Sequence, residues 1–240
     1  MLTVPQTVGV HFPAGAHKVE LLRTTSRFLV SAMFAGMWIG VEDVLMWSAG
    51  GQSFVQDDPA TKLVAGCVFA AALTFVVFAG SELTASAMMV LPLGALGCAI
   101  SWKQAGVAHD FWASYLEGQI EHTPVELFWR GVMCNVLVSC AVWAAARLKS
   151  EVGKAIIIIW CVLGFVASGF EHVVANMTTF PIGLLGGGVD VTWGDFGVNM
   201  LSVGAGNLVG GAVVIGFAYA YAYAYVAGKA DAHVEETVDA

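Results

Sequence analysis

A chain of 240 residues in which 58% are hydrophobic and 12% charged, with a mean hydropathy of +0.76, is too apolar for a soluble domain, where apolar residues make up about 45–50%. That composition excludes a water-soluble enzyme or a nucleic-acid-binding module and places the chain in a bilayer. The formal net charge of −8 resides largely in loops and in the tail residues Asp231, Glu235, Glu236 and Asp239, so it does not report on a permeant ion.

Membrane spans need about 20 apolar residues, and the predicted elements follow in chain order. Residues 1–26 form an N-terminal segment with Lys18 and Arg23 and without the features of a removable signal peptide, so no cleavage is expected. A first span is predicted at 28–47, followed by a loop with Asp57 and Asp58. A second apolar block, 63–100, is interrupted at Gly80-Ser81-Glu82-Leu83. The stretch 102–122 then holds Lys103, His109, Asp110, Glu117, Glu121 and His122 where a span would close the first half. A third span is predicted at 126–146, with Arg147, Lys149 and Lys154 after it. The fourth block, 155–185, is interrupted at Gly169-Phe170-Glu171-His172, and the last span is predicted at 199–226. Tyr219, Tyr221, Tyr223 and Tyr225 near its end read as an interfacial aromatic belt, and 227–240 as a solvated acidic tail.

The excess of Lys and Arg before the first span and after the third marks those segments as cytoplasmic. Cys67, Cys98, Cys134, Cys140 and Cys161 fall in apolar runs with neither metal-ligand nor disulfide spacing, and read as small buried hydrophobes. No metal or cofactor site is expected.

The two interruptions carry the functional information. In hydrocarbon, backbone that leaves the helix survives only where it is buried in protein or lines a cavity, and broken helices recurring in two halves mark a permeation site. The expected fold is an all-α inverted-repeat bundle at 27–226 with two broken helices and half-repeats at about 27–123 and 124–226. The second half is complete. The first has its third span shortened or missing, so that the termini end on opposite sides unless 102–122 crosses in a protein-lined setting.

His172 stands beside the second break near mid-bilayer, where a neutral imidazole can donate one hydrogen bond to an anion. Burial opposes its protonation and a bound anion favours it, so a mostly neutral ring that gains a proton transiently is expected. The alternative is a structural histidine bonded to a nearby carbonyl. Glu82 and Glu171 would repel an anion when ionised, but they can accept backbone N–H groups freed at the breaks, with Gly80 and Gly169 shaping the turns. Loop support is therefore expected of them, and proton carriage is the alternative. Half-helices restarting after the breaks aim positive dipole ends at the midplane. Asn135, Asn176, Asn199 and Asn207 read as hydrogen-bonding residues between helices, worth about 0.6–2 kcal/mol each in a membrane, and Lys154 as an interfacial snorkelling residue.

Gly80-Ser81-Glu82-Leu83, the run 131–143 with Gly131 and Asn135, the run Ala167-Ser168-Gly169-Phe170-Glu171-His172-Val173-Val174-Ala175-Asn176-Met177, and Gly206-Asn207-Leu208-Val209-Gly210-Gly211 occur in the order seen in the formate/nitrite transporter family, which this chain resembles from about residue 31 to 216. The resemblance implies an aquaporin-like protomer within a homopentamer, each protomer with its own pore for a small monovalent anion. Phe128-Trp129-Arg130-Gly131, Ile159-Trp160-Cys161 and Asn176-Met177-Thr178 are most similar to the nitrite-channel branch. The resemblance further implies His172, Thr84 and Asn176 as pore or substrate contacts. Arg130 matches a basic position that either attracts anions at the outer mouth or anchors the interface.

Two departures stand out. The family usually carries an aromatic and a threonine after the first Glu-Leu, where this chain reads Leu83-Thr84-Ala85-Ser86, so the bulky constriction is absent and Thr84 takes the place of either the aromatic or the threonine; and the family's third span has no counterpart between Ser101 and Pro124. The expected protein is a multi-pass inner-membrane channel or transporter for a small monovalent anion, nitrite first and formate or hydrosulfide as alternatives, crossing with or without a proton. A non-conducting membrane subunit and an aquaporin-like pore for neutral solutes are the competing readings.

Overall fold

The computed structural model describes residues 1–3, 6–7, 9, 25–79 and 106–222, and for residues 25–37 and 79 the backbone alone. Among the described residues the chain forms helices α1 (Thr25–Val55), α2 (Thr61–Ala79), α3 (Val107–Glu121), α4 (Pro124–Arg147), α5 (Glu151–Ala167), α6 (Val173–Gly186) and α7 (Trp193–Leu208). The last continues through a π-helical stretch, Val209–Phe217. Thr61–Phe78, Pro124–Arg147 and Trp193–Ala222 are long and apolar enough to cross a membrane by length and composition. The first interruption, with Gly80, Glu82 and Thr84, lies outside the described residues, as does Cys98.

Helix starts are set by polar caps that a hydropathy window overlooks. α4 begins at Pro124 because the Thr123 hydroxyl accepts the Glu126 N–H while the Glu126 carboxylate accepts the Thr123 N–H, and proline suits the first turn. The same reciprocal pair, Thr192 with Asp195, starts α7 at Trp193, well before the expected Asn199. Ser150 caps α5 through the Gly153 N–H. At the other end of the chain α1 runs past Trp47 to Val55, carrying Glu42 and Asp43 inside the helix.

Glycines set the closest helix contact. α4 and α7 run parallel, since Phe128 meets Gly206, Val132 meets Gly210 and Trp143 stacks on Tyr219 with ring centroids 4.1 Å apart. A Cβ at Gly206 or Gly210 would overlap the carbonyl oxygens of Phe128 and Val132, and one at Gly131 would stand 2.7 Å from the Val203 oxygen. Small residues here let backbones touch, the usual basis of helix association in lipid. Asn135 Nδ2 donates to the Asn207 oxygen at 2.6 Å, taking a carbonyl from the helical ladder. A side chain entering the ladder widens a helix, and the π-helical stretch starts two residues later.

The two halves share a plan and differ where the sequence does. α1 packs on α2 as α4 packs on α5, and α2 packs on α5, with Phe69 edge-on to Phe165 at 5.9 Å. α3, in the place of a closing span, has 15 residues, about 22 Å at 1.5 Å each, short of the roughly 30 Å hydrocarbon core. It runs antiparallel to α1, with Val107 against Gly51 and Tyr115 within electrostatic reach of Asp43, whereas α7 parallels α4. The third span is thus shortened, and α3 is no copy of α7. Its polar composition is tolerated because Phe111, Trp112, Leu116 and Gln119 are buried against α1 and α6. The cysteines divide: Cys134 is buried in the core, Cys140 and Cys161 are half-buried, and Cys67 is exposed, against the expectation that all are buried.

Candidate functional site

The helix breaks at Gly169, whose φ of +68° lies in the left-handed region that only glycine adopts without strain. Residues 168–172 then run as turn and extended chain before α6 restarts at Val173. His172 is the N-cap of α6, and its Nδ1 accepts the Ala175 N–H at 3.3 Å. A neutral imidazole that accepts at Nδ1 carries its proton on Nε2, and no described residue bonds that Nε2–H. The ring is buried, parallel to Phe165 with centroids 6.0 Å apart.

Asn207 holds the break to its surroundings. Its Oδ1 accepts the Val173 N–H at 3.0 Å, and its Nδ2 donates to the Gly131 oxygen at 2.8 Å and the Glu171 oxygen at 3.1 Å. Arg130 completes the clamp by donating from Nη1 to the Gly169 oxygen at 2.7 Å. The first-turn N–H groups of Val173 and Ala175 are therefore already taken by side chains, so α6 offers an incoming anion its dipole but not these two donors.

Glu171 is 3% exposed. Its Oε2 accepts from Asn176 Nδ2 at 2.7 Å and from Gln119 Nε2 at 2.9 Å. Gln119 Nε2 also donates to Asn176 Oδ1 at 2.9 Å, and Asn176 Nδ2 to Asn199 Oδ1 at 2.8 Å. The carboxylate is thus held by side-chain amides from α3 and α6, not by backbone N–H groups freed at the break. Asn176 is fully buried, with its amide committed to this network. Gln119 carries the weakest signal of these residues, since it follows acidic and aromatic neighbours in a stretch without a helical apolar signature.

A cavity of about 410 Å³ opens beside the break. Its walls come from the end of α1, the Asp57–Asp58 loop, the start of α2 and the inner face of α3, and its floor includes Gln119, Gly169 and Glu171. It ends one residue short of His172. Lys62, Arg130 and His122 face it along with Asp57 and Asp58. Burial lowers the His122 pKa from its ordinary value, and Arg130 beside it adds to the effect against Glu126 and Glu121, so its neutral form is favoured. Arg130 and Lys62 supply the positive potential at this mouth.

Of the expected site residues, the structure brings His172, Glu171, Gly169, Asn176, Arg130, Asn135 and Asn207 to one break. Gln119→Leu should lower stability in detergent by about 2 kcal/mol, since it strips one donor from a buried carboxylate and one from Asn176. Thermal unfolding of the purified protein measures this, and an unchanged midpoint would contradict the network.

An all-helical membrane bundle with a helix broken at a buried polar node, approached by a cavity, defines a transport protein, either a channel or a carrier. The profile of the formate/nitrite transporter family matches residues 6–112 and 104–221, and the chain belongs to that family. The nitrite transporter NirC of Escherichia coli is 34% identical over 223 residues, covering 80% of this chain and 82% of that one. A probable formate transporter of Methanothermobacter thermautotrophicus is 33% identical over 241 residues, covering 80% and 87%. Among solved structures, an FNT family ion channel superposes with a TM-score of 0.78 at 30% identity, covering 90% of this chain and 98% of that one. A pentameric formate channel with formate bound gives 0.72 at 26% identity, covering 84% and 98%.

Proposed function

We propose that this protein is an inner-membrane, homopentameric channel for a small monovalent anion, nitrite first and formate or hydrosulfide next, in which His172 presents its Nε2–H to the anion in each protomer's pore. The observation that carries the reading is the cap at the break. With Nδ1 occupied by the Ala175 N–H, the ring has one orientation, one tautomer and one donor left over. A proton arriving at Nδ1 would set N–H against N–H and cost the cap, worth about 0.5–2 kcal/mol. His172 therefore acts as a neutral donor, exchanging one hydrogen bond for part of the anion's hydration shell. Asn176 then frames Glu171, and Arg130 both clamps Gly169 and raises the anion concentration at the outer mouth. Nitrite leads because nitrite transporters named NirC stand among the relatives, and the pentamer follows the architecture of the formate channel. Thr84, from the first interruption, is proposed as a second pore hydroxyl, and the segments 1–26 and 227–240 as cytoplasmic.

Uptake of nitrite, formate and hydrosulfide into proteoliposomes across a pH series tests this. The wild type should conduct nitrite best, and His172→Ala should lose at least about tenfold of the flux, equivalent to one lost hydrogen bond of about 1.4 kcal/mol in the barrier. Silence of verified, inserted wild-type protein toward all three anions would favour a non-conducting subunit. Flux of a neutral solute indifferent to His172→Ala would favour an aquaporin-like pore.

A further inference from the structure

Asp43 lies in the middle of α1, 1% exposed, and its Oδ2 has no hydrogen-bond partner among the described residues. The groups that face it are Glu42 on its own helix, Thr178 on α6 and Tyr115 on α3. None of these is a cation, and among the described residues no Lys, Arg or His approaches it. Thr178 is also buried, and its hydroxyl, which has no other partner among the described residues, lies toward the Asp43 carboxyl. An ionised carboxylate left in that state would cost many kcal/mol, far more than the group spends by keeping a proton. As a carboxylic acid it gains an O–H that can turn to Thr178, and the two groups then satisfy each other without a charge.

Position gives this proton a use. Tyr115 lines the outer cavity and lies within electrostatic reach of both Asp43 and Glu171, with its hydroxyl toward Gln119. Gln119 Oε1, buried beside the cavity, has no other acceptor duty among the described residues and is the atom a Tyr115 O–H would meet. A phenol placed there can accept a proton from one side while donating its own to the other.

We propose that Asp43 is a proton-binding site of the transporter, distinct from His172, which exchanges its proton with the outer cavity through Tyr115. The step balances without a further reactant. The Asp43 O–H bond breaks as an intervening water accepts that proton and gives one of its own to the Tyr115 oxygen, and the Tyr115 O–H bond breaks as its proton passes to cavity water or to Glu171. The tyrosine is left as it began and Asp43 becomes a carboxylate until the reverse transfer. The chemistry recognised is a bare proton, delivered by water or by the undissociated acid of the permeant anion.

Infrared spectroscopy of the whole protein in liposomes tests the site without relying on the anion or on His172. The wild type should show the carbonyl stretch of a protonated carboxyl at neutral pH, and Asp43→Asn should lose it. Asp43→Glu should keep a displaced band, which guards against a folding failure in the first variant. Tyr115→Phe should retain the band but slow its exchange in D2O at least about tenfold. A spectrum unchanged by Asp43→Asn would overturn the site, and wild-type exchange in Tyr115→Phe would overturn the route. Both results stand whether or not nitrite proves to be the permeant ion.

Discussion

Gly206→Val should prevent the protein from assembling. The α4–α7 contact is backbone on backbone at this point, and even the first carbon of a side chain would overlap the Phe128 carbonyl oxygen while standing 3.0 Å from the Val132 nitrogen. Neither neighbour is a flexible side-chain end that could swing aside. Relief requires the helices to separate, which would pull Asn207, the next residue, away from Gly131 and Glu171. Overpacking of this kind costs about 3 kcal/mol or more, and the loss of the Asn207 bonds adds to it. Gly197→Ala in the same helix is the matched control, because a Cβ there meets nothing within 4 Å. Size-exclusion chromatography and thermal unfolding in detergent separate the two. Equal behaviour of both variants would show that α4 and α7 do not pack as described.

Asn207→Leu should cost the next most. Leucine matches asparagine roughly in bulk, so the effect isolates hydrogen bonding. Three backbone groups lose their partner at once: the Val173 N–H and the carbonyl oxygens of Gly131 and Glu171. A buried polar group orphaned in this way costs about 1–3 kcal/mol, moderated in membranes because the unfolded reference also finds partners, so a total of about 3 kcal/mol is expected. Function should fall further than stability, since Val173 follows His172 and a shifted α6 terminus re-aims the imidazole. Asn207→Asp should be no rescue, as it keeps the acceptor for Val173 but sets a carboxylate against two carbonyl oxygens. Nitrite flux compared with the unfolding midpoint measures the split. A stable, fully conducting Asn207→Leu protein would remove Asn207 from its place at the break.

The second break was readable because glycine, glutamate and histidine interrupt an otherwise apolar block, a combination that hydrocarbon tolerates only at a buried, bonded site. Asn207 was readable beside Gly206 for the same reason. Gln119 and Asp43 were not. Gln119 sits among His109, Asp110, Glu117 and Glu121, polar residues where a closing span would stand, and its burial exists only because α3 packs against α1 and α6. Asp43 is one of two adjacent acids within an apolar run, and hydropathy averaging passes over both. Helix starts at Pro124 and Trp193 escaped the same averaging because Thr123 and Thr192 act through hydrogen bonds, not through hydrophobicity. The first interruption, with Glu82 and Thr84, lies outside the described residues, so the second break alone gives the geometry.

Transport as proposed depends on His172 serving the anion as a fixed, uncharged donor. Nitrite uptake by His172→Asn against His172→Asp tests it most directly. Both side chains can accept the Ala175 N–H and cap α6, but asparagine retains an N–H to donate and cannot titrate, whereas aspartate replaces the donor with negative charge. Nitrite flux should stay within about tenfold of wild type for His172→Asn and vanish for His172→Asp. Loss of flux in both, with the proteins folded and inserted, would mean that the ring must take up a proton to work and would contradict the claim.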